Sequence, residues 1–292
     1  MSFANLKKQS GNLEKLAKAI EQLNSSDSTQ KEDNFWKPEV DKAGNGYAVI
    51  RFLPAPEVDG DEGLPWVKVF DHGFQGPGGW YIENSLTTLN QKDPVSEYNS
   101  QLWNSGIEAN KDIARKQKRR LSYIANIYVV EDPKNPQNEG QVKLFKFGKK
   151  IFDKINEAMN PQFEDEKALN PFDMWAGADF KLKIRNVEGY RNYDKSEFAS
   201  VGTLGDFDDD KLEAIWKKEH SLKQFLDPSN FKSYDELKAR LDKVLGLDGS
   251  APKPRTTVEQ AKAAPRKPES VDVGIAEDDD DLAYFSKLAE ED

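Results

Sequence analysis

The stretch Lys111–Val130, KDIARKQKRRLSYIANIYVV, places Lys111, Arg115, Lys116, Lys118, Arg119 and Arg120 in its first ten residues against one acid, Asp112. Like charges this close repel one another, so the run reads as a face offered to a polyanion. Tyr98 and Trp103 precede it and Tyr123 follows, supplying flat rings on which a base could stack. A second cluster, Lys143–Lys154 (KLFKFGKKIFDK), sets five lysines, Lys146, Lys149 and Lys150 among them, around Phe145, Phe147 and Phe152. A third, Lys181–Tyr193 (KLKIRNVEGYRNY), runs Lys181, Lys183, Arg185 and Arg191 into Tyr190 and Tyr193. Each alone could be a strand with a cationic outer face. Their repetition favours a groove for single-stranded nucleic acid, which needs cations at phosphate intervals and aromatics between them.

Catalytic chemistry finds less support. Asp206–Asp210 (DFDDD) could hold Mg²⁺ as in a nuclease. It lies just ahead of a helical pattern, however, where the helix dipole favours acids for structural reasons alone. His72 and His220 are the two histidines, too few for a catalytic triad or a zinc cage. There is no cysteine, so neither disulfides nor thiolate metal sites are available. Phosphate-binding loops and dinucleotide fingerprints are absent. The sequence thus names no catalytic residue, no cofactor and no metal.

The net charge of −10 looks unsuited to a nucleic-acid binder until it is located. Glu269–Asp292 carries ten acids against Lys287 alone, so residues 1–268 are close to neutral and hold local basic patches. No apolar run is long enough to span a membrane, and no signal peptide is recognisable. A soluble, intracellular protein is expected.

These side chains need elements to position them. Leu6, Leu13, Leu16, Ile20 and Leu23 recur near helical spacing within 1–24, and Ser25–Asp33 reads as a linker. A core over 34–247 starts with strands at Tyr47–Leu53, Trp66–Phe70 and Trp80–Ile82. Further strands are expected at Ser122–Val130, Val142–Phe147 and Phe180–Val187, with a helix over Lys149–Met159. Helical spacing returns at Leu212, Ile215 and Trp216, continues through Leu222, Phe225 and Leu226, and recurs after Ser233. Residues 248–268, rich in Ala, Pro, Lys and Arg, read as a flexible linker before the acidic tail, 269–292. The fold class is α+β.

Beyond these patterns the chain resembles the single-stranded DNA-binding, helix-destabilising proteins of T-even-type bacteriophages. The resemblance rests on Asp41–Pro54 (DKAGNGYAVIRFLP), Asp71–Glu83 (DHGF…GGWYIE), Lys118–Gly140 (KRRLSYIANIYVVEDPKNPQNEG), Phe145–Asn156 (FKFGKKIFDKIN) and Asn192–Phe198 (NYDKSEF). It implies a small OB-fold-type β-barrel core with attached helical and loop subdomains and flexible extensions at both ends. It implies DNA contacts at Lys118, Arg119, Arg120, Tyr123, Phe145, Lys146, Tyr190 and Tyr193. A Lys/Arg-then-Ser/Thr motif of the family stands at Lys7-Lys8-Gln9-Ser10 and again at Lys118–Ser122, each copy interrupted by one residue. The N-terminal copy, Lys7, Lys8 and Ser10, implies cooperative contacts between neighbouring copies. The acidic tail, with Asp278, Asp279, Asp280 and Asp281 ahead of Tyr284 and Phe285, implies recruitment of replication and recombination proteins.

Many relatives of that kind bind structural zinc through one His and three Cys. Here His72 is kept, but Ser85, Asp93 and Ser96 stand where the thiolates should be. No zinc is therefore expected, and Asp71–Ser96 should be held by packing of Phe74, Trp80, Tyr81 and Ile82. The resulting expectation is a non-enzymatic protein that coats single-stranded DNA cooperatively in the cytoplasm of an infected bacterium, with a tail that also competes with DNA. The rivals are a metal-dependent nuclease or strand-exchange enzyme using Asp206–Asp210, and an acidic recruitment adaptor.

Overall fold

The computed structural model describes residues 34–60, 63–163 and 165–247. The expectations placed on 1–24, on the 248–268 linker and on the 269–292 tail, with Lys7, Lys8, Ser10, Asp278–Asp281, Tyr284 and Phe285, lie outside the described residues. The chain divides into a unit Met1–Lys37, to which the two-residue strand β1 (Phe35–Trp36) belongs, and a unit Pro38–Asp292.

The second unit is built around one strand, β5 (Arg120–Glu131). One edge of β5 pairs antiparallel with β6 (Val142–Phe147), from Tyr123↔Phe147 to Tyr128↔Val142. Its other edge is shared in sequence by two strands. The first half pairs with β3 (Trp66–Gly76), from Asp71↔Arg120 to Trp66↔Ala125. The second half pairs with β2 (Gly46–Phe52), from Phe52↔Ile127 to Val49↔Glu131. β3 continues past β5 into a hairpin with β4 (Gly79–Asn84). β2 passes the sheet on to β7 (Phe180–Val187), which carries β8 (Tyr190–Asn192) and β9 (Glu197–Phe198). The sheet is open: among the described pairings of this unit it runs from β6 through β5, β2 and β7 to β8 without closing. The barrel closure expected of an OB-type core is not seen, since no pairing among the described residues joins the β6 end of this path to its β7–β8 end.

Five α-helices surround the sheet among the described residues: α1 (Pro94–Asn104), α2 (Glu108–Gln117), α3 (Lys149–Met159), α4 (Asp209–Trp216) and α5 (Tyr234–Leu245). None is long and apolar enough to cross a membrane. The bounds of β6, α3 and β7 are those expected from periodicity. The segment Lys223–Leu226, capped by Leu222, forms a short 3-10 turn rather than a further α-helix. The largest difference lies at residues 94–117, which form a helical pair. α1 starts at an Asp-Pro step: Asp93 caps it by accepting from Val95 N and Ser96 N, and Pro94 enters the first turn, where its missing N–H costs nothing. α2 places Glu108 in its first turn and Arg115 and Lys116 in its last, matching charge to the helix dipole. The cation-rich half of the Lys111–Val130 stretch is therefore mostly helix.

The core is aromatic. Phe52 meets Phe147, Phe172, Phe180 and Phe198 at ring-centroid distances of 5.6–6.5 Å. α3 seals one face of β5 by stacking Phe152 on Tyr123, 3.9 Å between centroids and 1° from parallel. A second cluster, Phe74, Tyr81, Leu86, Val95, Leu237, Leu241 and Val244, joins the β3–β4 hairpin to α1 and α5.

Candidate nucleic-acid interface

Arg119 and Arg120 follow the end of α2, and β5 begins at Arg120. The Arg119 guanidinium lies over the Phe70 ring of β3, 4.0 Å from its centroid, and Lys68 reaches the same ring at 5.0 Å. Arg120 crosses its own register partner: Nε and Nη2 contact Asp71 Oδ1 at 2.6 and 2.5 Å. From β6, Lys146 Nζ donates to the other oxygen of the same carboxylate, Asp71 Oδ2, at 3.1 Å. One aspartate thus holds two cations from different strands, and each keeps about a third of its side chain exposed. The packing explains a glycine. A methyl group at Gly73 would lie 2.7 Å from Arg120 Cζ, so the guanidinium rests on bare backbone there.

The other cations occupy separate places. Lys111 and Arg115 on α2 approach the Trp103 ring of α1 at 5.5 and 5.4 Å, and Arg115 is also bound by Glu108 and Asp112. Lys116 is exposed and Lys118 half-buried. Lys149 pairs with Asp153 one turn on, and Lys150 is half-buried beside it at the start of α3. Arg185 forms a two-pronged pair with Asp194, Nε–Oδ1 2.8 Å and Nη2–Oδ2 2.6 Å, close to exposed Tyr190 and half-buried Arg191 and Tyr193. This third cluster sits on β7 and β8, separated from β5 by β2. Lys154 of α3 reaches it by donating to Asp194 O at 3.2 Å.

Three aromatics expected from sequence to contact DNA are packed against other parts of the protein. Tyr123 and Phe145 are 7% and 3% exposed, their rings stacked against Phe152 and Phe147, because β5 and β6 have that face covered by α3. Tyr98 packs against the cluster of Phe74 and Tyr81. The expectation that Trp80 and Ile82 pack the Asp71–Ser96 region is also overturned. Phe74 and Tyr81 stack inside, 5.0 Å apart, while Trp80 and Ile82 alternate outward, 49% and 41% exposed. Sequence reasoning missed both because β4 is apolar on both faces. The available signal was the opposite strand, where Gln75 and Gly73 face them.

His72, Ser85, Asp93 and Ser96 do converge, as the zinc arrangement of the T-even resemblance would require, but as a hydrogen-bonded cluster. Asp93 Oδ2 accepts from Ser85 Oγ at 3.0 Å and Leu86 N at 3.1 Å. Its Oδ1 accepts from Val95 N and Ser96 N, both at 3.0 Å, and lies 3.2 Å from His72 Nε2. His72 Nδ1 donates to Gln117 O, 3.1 Å away, anchoring the end of α2 one residue before Lys118. Burial alone would raise the Asp93 carboxyl, but these donors bring it down to about 2. One imidazole, one saturated carboxylate and two hydroxyls do not make a tetrahedral zinc site. Elsewhere, Asp208 caps α4 through Lys211 N and Asp209 accepts from Trp175 Nε1, so this acidic run serves the helix start. No cluster of His, Asp and Glu suited to a metal occurs among the described residues.

Residues 44–245 match the family described as gp32 DNA binding protein like. The chain belongs to that family. It is 40% identical over 219 residues to the single-stranded DNA-binding protein of Enterobacteria phage T2, covering 72% of this chain and 70% of that protein. To the single-stranded DNA-binding protein of Enterobacteria phage T4 it is 38% identical over 240 residues, 79% of this chain and 77% of the relative. A shorter match, 48% over 65 residues, covers 22% of this gp32-like chain and 55% of the single-stranded DNA-binding protein of Escherichia phage SV14.

Proposed function

We propose that this gp32-like protein binds single-stranded DNA without chemically altering it, coating it cooperatively with little sequence preference during phage-type replication, recombination and repair in the infected host's cytoplasm. The observation that carries the reading is the pair Arg120 and Lys146 held on Asp71 on one face of the sheet, with Arg119 on the ring of the adjacent Phe70, which alternates to the other face. Cations fixed next to rings match a ligand that presents phosphates and base faces together. The names of the T2 and T4 relatives support the same ligand. The open antiparallel sheet around β5 serves as the OB-type platform in this reading. Lys111, Arg115, Lys116, Lys118, Lys149, Lys150, Arg185, Tyr190, Arg191 and Tyr193 extend the contact along the strand. Residues 1–24 link neighbouring copies, and the 269–292 tail recruits partner proteins and competes with DNA for the cations.

Fluorescence titration with a single-stranded homopolymer tests the reading. Stoichiometric quenching without strand cleavage in Mg²⁺ is expected, with log affinity falling against log salt by about 0.7 per phosphate neutralised. Replacing Lys118, Arg119 and Arg120 together by alanine should flatten that slope. Absence of binding, or Mg²⁺-dependent cutting, would overturn it.

A further inference from the structure

Trp80 and Ile82 are large apolar side chains left in water on a strand that had an inner face available. Side by side on one strand face, they offer an apolar surface that a partner can cover. Their surroundings say what would cover them. On β4 and β3, the pairs Gln75↔Trp80, Gly73↔Ile82 and Asp71↔Asn84 put Trp80, Ile82 and Asp71 on one face. Asp71 is also the register partner of Arg120, and it binds Lys146. Arg120 lies across Gly73, directly opposite Ile82. An indole, an aliphatic side chain and two cations sharing one carboxylate therefore occupy one continuous face, with a local charge of one positive unit.

The hairpin that carries them is fixed. Gly78 N donates to Val244 O of α5 at 2.7 Å, and Glu83, on the inner face, binds Lys232 and Arg240. A ring carried on a fixed backbone has less conformational entropy to lose on use than one on a mobile loop.

We propose that the outer face of the β3–β4 hairpin is a stacking platform for an unpaired DNA base, with Trp80 and Ile82 under the base and Arg120 and Lys146 receiving the adjoining phosphate. This rests on the single-stranded DNA reading and adds Trp80 and Ile82, which that reading does not need. Double-stranded DNA does not fit, since its bases present no free face to an indole.

The experiment uses the full chain and a short oligo-dT at fixed salt. Trp80→Ala should weaken binding by about 5- to 150-fold, the range of one lost base stack, with the salt slope unchanged. Trp80→Phe should recover most of the loss, because it restores a ring without restoring the indole N–H. Both variants should melt like the wild type, as the side chain is half in solvent. If Trp80→Ala melts normally and binds like the wild type, the platform is wrong while the single-stranded DNA reading stands. If it binds oligo-dT normally and loses only clustering on long strands, the face joins copies of the chain and the platform is again wrong. If the wild type itself fails to bind oligo-dT, both fall together.

Discussion

Replacing Asp93 by alanine tests whether a hydrogen-bonded cluster holds together the region where the T-even resemblance calls for zinc. The buried carboxylate satisfies three backbone N–H groups and one hydroxyl, and it faces the His72 ring at 3.2 Å. Each donor left without a partner in the interior costs about 1–3 kcal/mol. These costs overlap, because water entering the space left behind satisfies some donors. The net loss should be about 3–5 kcal/mol, or about 6–20 °C in melting temperature for a domain of this size. Acid provides an independent check. The carboxyl titrates at about 2 in the fold against 3.8 in an open chain, so between those values the unfolded chain binds more protons. Its stabilisation is therefore complete above about pH 4 and lost as pH falls through 2, and the Asp93→Ala variant should show a flatter acid limb. Thermal melts and urea titrations across acid pH, with and without chelator, supply the measurement. A variant within about 1 kcal/mol of the wild type would refute the reasoning, and so would a wild type that loses stability to chelator at neutral pH.

Gly73→Ala should push the Arg120 guanidinium off the strand and away from Asp71. It should cost under about 1 kcal/mol in a urea melt yet weaken oligo-dT binding severalfold; unchanged binding would remove Arg120 from the interface. Glu219 is buried with neither oxygen hydrogen-bonded among the described residues, and burial together with Asp59 pushes its carboxyl up to about 9. The fold keeps a proton that the open chain releases above about 4.5, so stability should fall by about 3 kcal/mol between there and pH 7. Glu219→Gln should flatten that decline in urea titrations. Truncation after Leu247 should tighten binding to single strands most at low salt, where a tethered polyanion competes best; equal gains at all salts would exclude competition at the cations.

The strands and helices that were legible in the sequence share one property: a single buried face. Phe180–Val187 alternates cleanly because one side of β7 is buried, and Lys149–Met159 keeps an apolar stripe that ends in Ile151 and Ile155. α2 has no such stripe, since Ala114 is its one buried apolar residue, and its charges masked its helicity. The candidate site was legible in composition and not in geometry. Asp71, Arg120 and Lys146 meet across sequence separations that no local pattern spans. Tyr123 was misread because a strand clasped between two neighbours and roofed by a helix buries an aromatic that composition alone would place outside.

β5 has a consequence for the ligand. Its backbone is hydrogen-bonded to β6 along one edge and to β3 and then β2 along the other, and Arg120 stands at its first residue. A strand clamped in this way has little freedom left to surrender when a polyanion arrives. The ordering entropy of the complex therefore falls on the nucleic acid, which loses rotations at every nucleotide it lays down. Any bias among homopolymers then originates in the DNA's own self-stacking. A strand whose bases already lean on one another must first let go of itself, and a loosely stacked thymine run arrives ready to be shaped.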